Sequence, residues 1–172
     1  LQCAAILVSG SAVNNLGIAL TDEQMEYLAK APNYIDQSVN FFTPAQRQLV
    51  AAIAETPIPK TDTPGAIEAG VPKFIELMVA NWMNDQERKI FMVGIDEMAV
   101  RIPKEFGKPF HTLSGEQQIA ILEAMEAAAI DSPWYIQGNV RRPFISDAPF
   151  FCMAKELTVW GFFTSEVGAS EV

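Results

Sequence analysis

Four prolines decide how this chain folds between residues 55 and 83. In "TPAQRQLVAAIAETPIPKTDTPGAIEAGVPKFIELMVANWM", apolar Leu49, Ala52 and Ile53 recur at helical spacing, and the chain then meets Pro57 and Pro59. A helix interior does not tolerate prolines there, because each removes a backbone donor and its ring collides with the preceding turn. The first helix must therefore stop near Glu55. Thr63-Pro64 suits the start of a short helical turn over Ala66 to Ala69, with Asp62 bonding nearby amides to fix it; Gly70 suits a left-handed exit, and Pro72 opens the next helix. The stretch predicts two helices joined by a stiff connector.

The other helix starts share one chemistry. Thr21-Asp22-Glu23-Gln24, Thr43-Pro44-Ala45-Gln46 and Ser114-Gly115-Glu116-Gln117 each offer a hydroxyl at the N-cap and a glutamine at the third helical position. The hydroxyl accepts from an orphan amide of the first turn, and the glutamine reaches back to the cap. Asn84-Asp85-Gln86-Glu87 repeats the logic with acidic residues at the positive end of the helix dipole.

Apolar spacing completes the helical reading. The segment "PKFIELMVANWM", residues 72 to 83, is apolar on two faces and predicts a central helix. Phe91, Ile95, Met98 and Ile102 form one stripe from residue 85, ended by Pro103. A further helix runs from Gly115 to about Ala129, with Ile119 and Leu122 apolar. The stretch "DSPWYIQGNVRRPFISDAP" then reads as a second long, proline-rich connector. The last helix is expected to start with Asp147 as cap and to carry Phe150, Met153, Ala154, Leu157 and Trp160 on one face. No alternating run of β-branched residues stands out. The fold class is all-α, a compact bundle of about five helices with two long Pro-rich connecting loops. Residues 20–172 are read as a single helical domain. Residues 1–19, with the short apolar run "CAAILVSGSAV", are read as a remnant of an export signal, an anchor or an N-terminal arm.

Charge and chemistry narrow the function. The 172 residues carry a formal charge of −9, and they form no basic run longer than Arg141-Arg142, which argues against a nucleic-acid or anionic-membrane surface. A nucleotide-binding glycine loop, a phosphate loop, a nucleophile elbow and a Cys-x-x-Cys-His haem attachment are all missing from the sequence. His111, the single histidine, sits in a Pro/Phe loop with no second His or nearby Cys to complete a metal set. The carboxylate pairs Glu123/Glu126 and Asp96/Glu97 read as solvated helix surface. No catalytic, cofactor-binding or metal-binding residue is therefore expected. Cys3 and Cys152 are a candidate disulfide, with a buried thiol at Cys152 as the other reading. The surplus of aromatic residues points to a partner interface, expected at Pro57, Pro59, Thr61, Asp62, Trp134, Tyr135, Phe151, Trp160, Phe162 and Phe163. A self-standing helical module with a small ligand beside Trp82 or Trp134 is the alternative.

Two blocks carry a family likeness. "FTPAQRQLVAAIAETPIPKTDTPGAIEAGVPKFIELMVANWM", residues 42 to 83, and "FFCMAKELTVWGFFTSEVGA", residues 150 to 169, resemble the gluconate 2-dehydrogenase subunit 3 family. The resemblance implies a non-catalytic small subunit of a periplasmic, membrane-associated dehydrogenase of sugars or sugar acids. It implies an FAD-containing large subunit, in some complexes with an iron–sulfur cluster, and a cytochrome c subunit whose haem takes the electrons onward. It also implies that the small subunit bears a twin-arginine export signal and escorts the folded large subunit across the inner membrane.

Overall fold

The computed structural model describes residues 39–130 and 149–170. They belong to the unit Val39–Val172, and the expected boundary near residue 20 lies outside them. The described residues form α1 (Pro44–Glu55), α2 (Val71–Asn81), α3 (Asp85–Phe106), a 3-10 turn at Phe110–Thr112, α4 (Gly115–Ala129), α5 (Phe150–Phe163) and the short α6 (Glu166–Ser170). They contain no strand, so the all-α expectation holds, with five long helices and one short one.

The caps are those the sequence predicts. The Thr43 hydroxyl accepts from the Gln46 amide at 3.3 Å while the Gln46 side chain accepts from the Thr43 amide at 2.9 Å. Ser114 and Gln117 repeat this at the start of α4. At α3, the Asn84 side chain accepts from the Gln86 and Glu87 amides, both at 2.9 Å, and Glu87 returns the bond. The corresponding pattern at Thr21 lies outside the described residues.

Two ends differ from expectation. α3 runs through Pro103 for one more turn and stops at Gly107, whose φ is 74° and whose amide donates to the Pro103 carbonyl at 2.9 Å. Pro103 forgoes a bond to the carbonyl of Ala99, an exposed residue whose carbonyl water can satisfy, so the proline is tolerated so near the helix end. α5 takes Pro149, not Asp147, as its N-cap, and Asp147 lies outside the described residues.

α5 is the most enclosed helix, ahead of α2. It packs on α1, α2, α3, α4 and α6. Nine of its fourteen residues are buried, so it has no single wet face until its last turns. Two glycines let neighbours come close. A Cβ on Gly94 of α3 would lie 2.1 Å from the Phe150 ring, and one on Gly161 of α5 would lie 2.7 Å from Phe74 of α2. Phe91 joins the layers: its ring stacks on Phe42 at 6.2 Å and meets Phe150 edge-on at 5.1 Å. The predicted stripe of Phe91, Ile95, Met98 and Ile102 is buried in full.

Two charged side chains hold the segment before α1 and the end of α2. Glu76, only 4% exposed, accepts the amides of Phe41 and Phe42 at 2.7 Å each and a two-pronged contact from Arg47 at 2.9 Å. It thereby ties the chain before α1 to the middle of α2. Arg88 of α3 donates to the carbonyls of Val79 at 2.9 Å, Ala80 at 3.3 Å and Met83 at 2.8 Å. The first two are orphan acceptors in the last turn of α2 and the third lies just past it, so Arg88 caps that helix from its neighbour.

Candidate functional site

The connector between α1 and α2 is organised by Glu55. As the last residue of α1, it turns its carboxylate into the loop that follows, where Oε1 accepts from the Lys60 amide at 2.9 Å and Oε2 from the Ile67 amide at 2.7 Å. The Ala66 amide donates to the Ile58 carbonyl at 2.9 Å, and Ala66 is fully buried. Gly65 lies against this staple, since a Cβ there would sit 2.3 Å from Glu55 Oε1 and 2.5 Å from the Lys60 nitrogen. The expected turn is present, with the Ala69 amide donating to Gly65 at 3.0 Å, and Gly70 leaves it at a φ of 77°. The residue that fixes the loop is Glu55, not the expected Asp62, which stands exposed at the tip. The Lys60 ammonium pairs with Glu68, and that hydrogen bond raises its pKa above the ordinary value. Pro57, Pro59, Thr61 and Asp62 are all exposed, so the connector is a held, outward loop.

Where α1 ends, an apolar cleft of about 340 Å³ opens between α1, α4 and α5. Ile53, Pro57, Leu122 and Phe151 form its walls, and Ile119, expected in the core, is 47% exposed at its edge. Glu126 of α4 pairs with Lys155 of α5 beside it, joining the two helices. The Thr158 hydroxyl donates to the Ala154 carbonyl at 2.8 Å, so it offers no free donor to the cavity. Two of the expected interface residues, Pro57 and Phe151, meet here.

The C-terminal half of α5 presents a second apolar feature. Val159, Trp160 and Phe163 are 41%, 51% and 55% exposed and lie on one face. Trp160 thus faces outward and not into the core as its spacing predicts. Phe162 is buried and braces Phe163 edge-on at 5.6 Å. Trp82, considered for a ligand pocket, is 65% exposed at the end of α2 and does not line the cleft. His111 is exposed in the 3-10 turn. Trp134 and Tyr135 lie outside the described residues. So does Cys3, while Cys152 is buried in α5.

Among the described residues, no group of three or more His, Cys, Asp or Glu is placed to hold a metal ion, and no helix is long and apolar enough to cross a membrane. The comparison with protein families decides the identity: the profile of gluconate 2-dehydrogenase subunit 3 matches residues 44–172, most of the chain. This chain belongs to the gluconate 2-dehydrogenase subunit 3 family. No curated protein and no solved structure matches it. Membership makes the chain a subunit of a multi-subunit gluconate 2-dehydrogenase-type complex. The stapled connector, the cleft and the outward face of α5 all fall within the matched residues.

Proposed function

We propose that the chain is the non-catalytic small subunit of a periplasmic, membrane-associated, FAD-dependent dehydrogenase of sugars or sugar acids. In this reading it stabilises the flavoprotein large subunit and escorts it through twin-arginine export, and a cytochrome c subunit carries the electrons away. The observation that carries the reading is the exposed face of α5, where Val159, Trp160 and Phe163 stand on a helix whose other sides are locked in the core. Large apolar side chains on a rigid element lose little entropy on docking, and tryptophan is among the residues that dominate interface energetics.

The test is co-expression of the full chain with its dehydrogenase large subunit. Trp160→Ala combined with Phe163→Ala weakens the complex about 100-fold. The isolated double variant keeps the helical circular dichroism of the parent, because neither side chain is buried. Equal co-purification of parent and double variant would remove the proposed contact. Deleting the chain from cells leaves the flavoprotein and its dye-linked activity in the cytoplasm, and undiminished periplasmic activity would overturn the escort role.

A further inference from the structure

We propose that the cleft between α1, α4 and α5 is a socket for an apolar side chain of the large subunit, one flanked within a helical turn by arginine or lysine. The inference rests on the subunit reading above and names the chemistry of the partner at a second point of contact.

The walls supply the first half of the argument. Ile53, Pro57, Ile119, Leu122 and Phe151 line a space of about 340 Å³, large enough for an aromatic or a long aliphatic side chain. Apolar walls left in water are a standing cost that an apolar occupant removes. The rim supplies the second half. α4 carries Glu116, Glu123 and Glu126 and no basic residue, in a chain of net charge −9. Among the described residues the one cation at the rim, Lys155, is already paired with Glu126, which leaves Glu123 exposed with no ion pair among them. An arginine or lysine beside the inserted side chain meets Glu123 directly. A second copy of this chain fits poorly, because its equivalent face brings the same carboxylates, like charge against like. Position also favours a large partner. Lys155 at the cleft and Val159 at the start of the outward α5 face are one helical turn apart, so socket and stripe adjoin on a single surface.

The experiment measures binding of the full-length chain to the large subunit for the parent, Ile119→Trp, Glu123→Gln and Glu123→Lys. Ile119 is half exposed, so tryptophan there fills the cleft mouth without entering the core. The expected result is about a ten-fold loss of affinity for Ile119→Trp with the Tm of the isolated chain unchanged. Glu123→Lys weakens binding further, and Glu123→Gln flattens the dependence of affinity on salt. If Ile119→Trp binds like the parent while the Trp160/Phe163 double variant does not, the socket is wrong and the subunit reading survives. If the parent itself fails to bind the large subunit, both fall together. If Ile119→Trp and Ile119→Asp both lower the Tm of the isolated chain, the occupant is the chain's own residues 131–148, and if they instead change its self-association, it is a second copy; either result overturns the proposal.

Discussion

Glu76→Ala lowers the stability of the chain by about 3 kcal/mol, seen as a fall in Tm on the order of 10 °C. The carboxylate is 4% exposed, yet each of its oxygens is in use: two amides, at Phe41 and Phe42, and the guanidinium of Arg47 all donate to it. Alanine leaves two amides unpaired, one of them buried, and strands the cation, which is costlier than losing the bonds alone. The effect stays near the low end for a buried pair because Arg47 still reaches water. Glu76→Gln keeps an acceptor for the amides and falls between parent and Glu76→Ala.

The same contacts set a pH dependence. Burial pushes the Glu76 carboxyl upward, but the hydrogen bond from Arg47, the amides of Phe42 and Phe41 and the Arg47 charge together outweigh it and hold the group below its ordinary 4.5. A carboxyl lowered by folding stabilises the protein above its unfolded value and loses that contribution as pH falls through the folded one. The parent therefore loses Tm below about pH 4.5, while Glu76→Ala lacks that component. Parallel Tm curves for the two across that range would show that the contact carries no linked stability.

Much of the bundle was legible because helix starts and core stripes are local. Thr43, Asn84 and Ser114 announce their helices through partners three residues away, and Phe91 to Ile102 repeat at the helical period. What stayed hidden depends on residues distant in sequence. Glu76 reads as one polar residue in an apolar helix, since its partners lie 29 to 35 residues earlier. The outward turn of Trp160 was hidden for another reason. α5 is apolar on nearly all sides, so its spacing marks no solvent face, and the neighbours that choose one come from five other helices. Ile119 sits among alanines that blur the stripe of α4 in the same way. At the candidate site, the stiffness of the connector was visible in Pro57, Pro59 and Pro64, whereas the group that fixes it was not. A carboxylate ending a helix, followed ten residues later by a glycine, was the available signal, and it is too common to single out Glu55.

Gly65→Ala is the sharpest test of that connector, with an expected loss of about 3 kcal/mol. The added methyl would lie 2.3 Å from Glu55 Oε1 and 2.5 Å from the Lys60 nitrogen, so side chain and backbone both have to move. Swinging the carboxylate away releases the amides of Lys60 and Ile67, and the shifted loop also strains the buried Ala66 between Ile58 and Val71. Two variants separate these causes. Glu55→Ala removes the staple without adding bulk and costs about half as much, on the order of 1.5 kcal/mol. In the Glu55→Ala background, Gly65→Ala then costs less than it does alone, because one of its two collisions is gone; the difference is the coupling of the pair. Amide exchange gives the local readout: Lys60, Ala66 and Ile67 lose protection in both single variants while the α3 stripe around Ile95 keeps it. Additive losses in the double variant would mean that Glu55 and Gly65 act separately. Binding to the large subunit weakens with the same variants if Pro57, Thr61 and Asp62 dock as a pre-set loop, because freeing the loop restores the entropy that the staple had removed before contact.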